Sequence, residues 1–389
     1  MAKTKPQDRA RKAKKNAKNA KNGTSDGSSK KPKVSPEQLL IEAATLLQTS
    51  QPEEALVSAR RALNALQPTN EPTLAALPAL NLLGEINVEL GDPEAAREAF
   101  LAAIALDQEG EHDGAEKFLW LAQLNEEGGA ESVQWFEKGV EVLKREISEL
   151  EGKLVKKSEV INTLAEKRQK AANALCGVAE VYMTDLSWEE DAEARCEAAV
   201  TEALLIAPES PEPLQTLASI RISQLRVDDA KAALMRSIAL WKDLEPDDPR
   251  IPDYSTRISL SRLLMEAEME NEALEVLERL IGENDESVEA WYLGGWCLHL
   301  LAEKQKANND TSKRMPLLRA SRDWLENCLK LYGAFQYEDE RLHDHAEEIL
   351  KELNDTLGPS TGKEEDDDDW EDADEAGDDD DDDAEMEGT

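Results

Sequence analysis

His299 lies two residues after Cys297, and a thiol beside an imidazole is the chain's nearest approach to a nucleophilic site. In such a dyad the imidazole takes the thiol proton and leaves a thiolate. The surrounding run, "AWYLGGWCLHLL", is apolar and helical in pattern, so both residues are expected to be structural, with His299 partly buried. His343 and His345 are two apart on a helical stretch and point to different sides, which makes them poor joint metal ligands. His112 falls in a polar loop. Cys176, Cys196, Cys297 and Cys328 form no CxxC pair and suit a reducing compartment, where a thiol behaves as a small buried hydrophobe. Among 84 acidic residues a close carboxylate pair carries little weight. No GxxxxGK[ST] loop, GxGxxG turn, HExxH helix or GxSxG elbow occurs. A binding protein is therefore expected, not an enzyme, with no cofactor and no metal.

Aromatic residues offer a second kind of chemistry, stacking or caging a ligand. Of the eight tryptophans, seven (Trp120, Trp135, Trp188, Trp241, Trp291, Trp296 and Trp324) stand at helical spacing, where core packing is expected. Trp370 stands apart in "EEDDDDWEDADEAGDDDDDDAEME".

Charge comes in blocks. Residues 1–33 carry twelve Lys/Arg against Asp8 and Asp26, a net of +10, and residues 359–389 carry eighteen acids against Lys363, a net of −17. Removing both from the total of −39 leaves −32 on the residues between. Such a field repels nucleic acid and anionic membranes and attracts polycations. Direct nucleic-acid binding is not expected. Three regions follow: a basic head over 1–33, an ordered middle over 34–357 and an acidic tail over 358–389. Both ends are too polar and too like-charged to offset the entropy of ordering, and are expected to be disordered. No run of apolar residues reaches membrane-spanning length, and no apolar stretch follows the basic head as in a secretory signal. "RKAKK" and "KKPK" in the head fit a split nuclear-import signal. The expected location is nucleus and cytoplasm.

The elements that hold these residues repeat. "LNLLGEINVELGDPEAAREAFLAAIALD" reads as a helix, a tight turn at Gly91-Asp92 and an antiparallel helix. In it Gly84, Ala96 and Ala103 are small where helices meet, and Phe100 is large where a gap needs filling. The pattern resembles the tetratricopeptide repeat. "PLQTLASIRISQLRVDDAKAALMRSIAL" follows the same frame, as do "AWYLGGWCLHLL" and "LLRASRDWLENCLKLY" after a polar insertion. Weaker copies bring the total to about seven, and "DERLHDHAEEILKELNDTL" closes the series with a polar outer face. The expected fold is an all-α tetratricopeptide-repeat solenoid. Between the third and fourth units, residues 140–175 contain Gly152 as the lone breaker, so longer helices are expected there.

The repeat resemblance implies a concave channel, lined by first helices, that takes extended peptides. Family members that hold the acidic tails of heat-shock chaperones use Lys, Arg and Asn at inner positions. The corresponding positions here hold Asn81, Glu85 and Glu89 in the second unit and Glu116, Glu126 and Glu127 in the third. A basic peptide is attracted by that set and an acidic one repelled. Glu180 and Asp185 extend the acidic set, and Tyr292 and Trp296 are divided between inter-repeat packing and anchoring a client.

Basic head, repeats with a long interruption and acidic tail together resemble the fungal dedicated assembly chaperones of the large-subunit ribosomal protein L-four. The resemblance implies a monomer that captures the basic internal loop of newly made L-four, shields it, travels with it through an import receptor and releases it to the pre-60S particle. Another basic client such as a histone, or a general adaptor role, stays open on charge and repeats alone. The tail is expected to screen basic surfaces left outside the channel, with Trp370 as a transient anchor.

Overall fold

Proline and a capping side chain set many of the helix starts. Pro36, Pro52, Pro93 and Pro211 take first helical positions, where a missing N–H is no loss. Ser35 and Gln38 form a reciprocal capping box. Asp92, Asp253 and Asp339 each accept from the backbone N–H three residues on. The computed structural model describes residues 34–358 except 70, 126–127, 153–157, 247 and 309. The head, the tail from 359 with Trp370, and Glu126 and Glu127 thus lie outside the described residues.

Among the described residues the chain forms fifteen α-helices and no strand, in two units, one up to Val160 and one from Ile161. The first holds α1 (Pro36–Gln48), α2 (Pro52–Leu66), α3 (Leu77–Glu89), α4 (Pro93–Leu106), α5 (Glu116–Gln123) and α6 (Gly129–Gly152). The second opens with α7 (Ser158–Met183), which begins at the boundary, and α8 (Ala192–Ile206). It continues with α9 (Pro211–Ser223), α10 (Val227–Ala239), α11 (Tyr254–Glu266), α12 (Glu270–Glu283), α13 (Val288–Ala307), α14 (Thr311–Phe335) and α15 (Glu340–Leu357). Consecutive helices pair as α1/α2, α3/α4, α5/α6, α9/α10, α11/α12 and α13/α14. The Cys196 thiol of α8 donates to the Ala179 carbonyl of α7, 3.5 Å away, in the remaining pair. Seven pairs and a closing helix match the repeat count read from the sequence.

Close helix approach needs a missing side chain. A Cβ on Gly84 would overlap the Phe100 ring, and one on Gly294 would overlap the Trp324 indole. Phe100 is fully buried, a contribution of about 1.5–3 kcal/mol for a side chain of this class. Alanines 43, 55 and 59 with Leu83 and Ile86 form one layer of the first unit, and Ala218, Ala230, Leu234 and Trp241 begin the longer core of the second.

Four of the turns inside pairs share one backbone solution. Ser50, Gly91, Leu225 and Glu268 all have φ between 56° and 69°. In each, the following N–H reaches back to a carbonyl of the preceding helix: Gln51 to Leu46, Asp92 to Asn87, Arg226 to Arg221 and Met269 to Leu264. This is the paired-bond ending that leaves one residue left-handed.

The interruption consists of long helices, as expected. α6 has 24 residues and α7 has 26, or about 36 and 39 Å at about 1.5 Å per residue. One expectation fails. Trp188 is not packed: it lies in the turn between α7 and α8 and is 76% exposed. In "TDLSWEED" the inward position goes to Leu186, 6% exposed, which leaves the indole among acids.

Candidate functional site

In the first unit the candidate residues are acids on first helices. Glu85 and Glu89 are four apart on α3 and therefore neighbours on one face; Glu85 is half-buried and Glu89 exposed. Glu116, half-buried, opens α5. Asn81 serves as a structural tie. It is buried, and its amide donates to Asp113 Oδ2 at 2.6 Å. That bond holds α3, one turn before Glu85, against the approach to α5, three residues before Glu116. The tie joins the helix that carries Glu85 and Glu89 to the loop that leads into Glu116.

The loop behind them is fixed by a buried ion pair. Asp107 accepts from the N–H groups of Glu111, His112 and Asp113 and from Lys117 Nζ at 2.9 Å. The two side chains are 3% and 0% exposed. Burial alone pushes the Asp107 carboxyl up, but the Lys117 and backbone hydrogen bonds outweigh it and hold the group below its usual range.

In the second unit Tyr292 and Trp296, one turn apart on α13, wall a cavity of about 520 Å³ between α11, α13 and the start of α15. Met265, Leu293, Leu300 and Leu342 complete the apolar lining, and Arg262, Glu266, Asp339 and Arg341 stand around it. Tyr292 Oη shares a hydrogen bond of 2.8 Å with His345 Nδ1, and the Trp296 ring meets the same imidazole edge-on with centroids 5.1 Å apart. Burial raises the Tyr292 phenol above its usual range, with Asp339 adding to it, so the ring stays neutral. Arg262 is paired with Glu289. The cavity is thus apolar inside and of mixed charge at its rim. It admits large apolar side chains and meets cations at Glu266 and Asp339.

Glu180 lies in the last turn of α7 and Asp185 in the turn beyond it, both with exposed surface. Protein packed around Glu180 nonetheless raises its carboxyl. Cys297 and His299 do not act as a dyad. The Cys297 thiol donates to the Glu270 carbonyl at 3.0 Å, and burial pushes it up to about 12. His299 Nε2 stands 3.8 Å from Glu352, and burial lowers the imidazole. His343 faces Tyr332 and Glu347, whereas His345 faces Tyr292 and Trp296. Among the described residues no group of three or more His, Cys, Asp or Glu is placed to hold a metal, and no helix is long and apolar enough to cross a membrane.

The sequence gives no sign of His345 beneath Tyr292, since 53 residues separate them. Leu342 and His345 are reachable only once α15 is known to fold back on α13.

The family model of the tetratricopeptide repeat matches residues 77–109, the α3/α4 pair and its flanks. An Emericella nidulans protein named "Probable assembly chaperone of rpl4" is 53% identical over 346 residues, covering 85% of this chain and 84% of that one. A Schizosaccharomyces pombe protein of the same name is 34% identical over 329 residues, covering 84% and 93%. A solved structure titled "Assembly Chaperone of RpL4 (Acl4) (Residues 1-338)" superposes with a TM-score of 0.64 at 49% identity, over 71% of this chain and all of that one.

Proposed function

This chain belongs to the fungal family of assembly chaperones of Rpl4, and we propose that it holds newly made ribosomal protein L4 through an extended Lys/Arg-rich internal segment. The observation that carries this reading is the second unit's cavity, apolar inside and walled by Tyr292 and Trp296 with Glu266 and Asp339 at its rim; the acidic first helices of the first unit support it separately. In the first unit Glu85, Glu89 and Glu116 attract cationic side chains, and in the second Tyr292 and Trp296 take apolar ones. A segment that binds ribosomal RNA cannot bury a core and stays disordered without RNA. Left free, it associates with any polyanion, since phosphate neutralisation is largely independent of sequence. Carboxylates on a repeat surface substitute for the RNA charge and block access to it. Charge alone does not offset the ordering cost of the client, so apolar anchors are required beside it.

In this reading Glu126, Glu127, Glu180 and Asp185 add to the same field. The chaperone binds without transforming its client, passes from cytoplasm to nucleus with it through an import receptor, and yields it to the pre-60S particle as a monomer. The head serves transport, and the tail from residue 358 screens basic surfaces outside the main contacts. At about 0.15 M salt the pull of exposed charge decays over roughly 8 Å, so the tail acts on clients already close by.

The test is titration calorimetry of ribosomal protein L4 and of its isolated internal segment. Glu85→Lys/Glu89→Lys/Glu116→Lys should weaken both by several kcal/mol with a slower association rate, since juxtaposed like charges are costly. A single exposed reversal should cost about 1 kcal/mol or less. Unchanged affinity in the triple variant would place the client elsewhere.

A further inference from the structure

Trp188 and Leu225 are the two most costly residues on the surface of the second unit to leave without a partner. Trp188 is 76% exposed and Leu225 is 88% exposed. Leu225 also occupies a left-handed position, φ 60°, that the equivalent turns give to Ser50, Gly91 and Glu268. A γ-branched apolar residue gains nothing there from burial and is disfavoured by backbone sterics. Folding therefore supplies no reason for leucine at this turn.

The turns that carry them are linked through α8 and α9. Gln224, the neighbour of Leu225, donates to Glu193 at 2.9 Å and to Glu197 at 3.1 Å, and Arg221 also pairs with Glu197. These bonds lay the end of α9 against the first turns of α8, the helix that follows the Trp188 turn. Val227, 37% exposed, adds to the apolar surface. On the Trp188 side of it the charge is acidic: residues 185–197 carry six acids and one base, Arg195, which is paired with Asp191, while Arg226 beside Leu225 is paired with Asp229. Asp185, already assigned to the client site, is in the same turn as Trp188, so the edge continues that site.

An apolar centre inside a charged rim is the arrangement of a protein contact with a hot spot at its middle. We propose that this edge is a second contact for the basic client. It takes a cationic surface of the client bearing one or two exposed apolar side chains, outside the client's extended Lys/Arg-rich segment. The proposal rests on the reading of the client given above, and the test separates the two.

Full-length chain carrying Trp188→Ala/Leu225→Gly is compared with Trp296→Ala for binding to whole ribosomal protein L4 and to a synthetic peptide of its Lys/Arg-rich internal segment. The edge variant should lose about tenfold or more in affinity for the whole protein, the scale of a hot-spot truncation, and none for the peptide. Its melting temperature should be unchanged or higher, because glycine relieves the left-handed turn. Trp296→Ala should weaken both ligands. Wild-type affinity of the edge variant for the whole protein overturns the proposal, as does an equal loss for both ligands, which merges the edge with the segment site. A selective edge effect beside a silent Trp296→Ala supports the edge and overturns the cavity reading.

Discussion

In the second repeat Gly84 makes room for Phe100, and in the seventh Gly294 makes room for the larger Trp324, with Gly295 beside it admitting Leu325. Counted from those glycines, the same two positions of the first helix hold Leu82 and Ile86 in one repeat and Tyr292 and Trp296 in the other. Ile86 is fully buried, whereas both aromatic residues are half-buried and face the cavity. Leu82 is half-buried like its counterpart Tyr292, so the two repeats differ at the second position, where Ile86 is closed in and Trp296 keeps aromatic surface on the cavity. Packing accounts for the glycines and the rings they accommodate. Tyr292 and Trp296 also pack against the core with one side, and the surface they leave on the cavity is what the proposed binding role uses.

The largest effect that would break this comparison concerns the shared part. Trp324→Ala and Phe100→Ala should each cost about 3–5 kcal/mol in urea unfolding, as aromatic truncations in cores do. Gly294→Ala should also destabilise, and Trp324→Phe in the same chain should recover part of the loss. Absence of any recovery would mean the glycine is kept for another reason.

A second test separates the units by their buried charges. Lys117→Met leaves the Asp107 carboxylate without its cation and should destabilise the first unit by about 3 kcal/mol, read as faster amide exchange over residues 107–117. In the wild type Asp107 titrates below its usual range. Its contribution is therefore full above the unfolded value near 3.8 and is lost as pH falls through the folded one.

The smallest effect belongs to the second unit. His299 is held below its ordinary 6.5 by burial. The unfolded chain then takes the proton first, and stability should fall as pH drops below about 6.5. The urea midpoint should drop less between about pH 7.5 and pH 5.5 in His299→Asn than in wild type. Equal drops would assign the acid sensitivity to other groups.

The repeat frame was legible in the sequence because its landmarks are steric: Gly84 and Phe100, the Gly91-Asp92 turn and the small residues of α4 leave few other arrangements. The acidic positions Glu85, Glu89 and Glu116 follow from that frame once the first helices are known. The bond from Asn81 to Asp113 was not legible, since it depends on how the 107–117 loop closes over Lys117. Trp188 was misread for a related reason. Helical spacing was extended across "TDLSWEED", where the chain turns and Leu186 takes the inward place. Partners from distant helices, such as His345 under Tyr292, leave no periodic trace.

The closing helix has a consequence best put in the language of polymer growth. A stack of repeats is a one-dimensional lattice, and each helix pair leaves an apolar step on which the next can settle. α15 covers the last step with Leu342, Ala346, Ile349 and Leu353 and leaves Asp344, Glu347, Glu348 and Glu352 exposed. It works as a chain terminator. The face it turns outward is mostly acidic in place of an apolar step, so the lattice carries no further apolar step beyond α15.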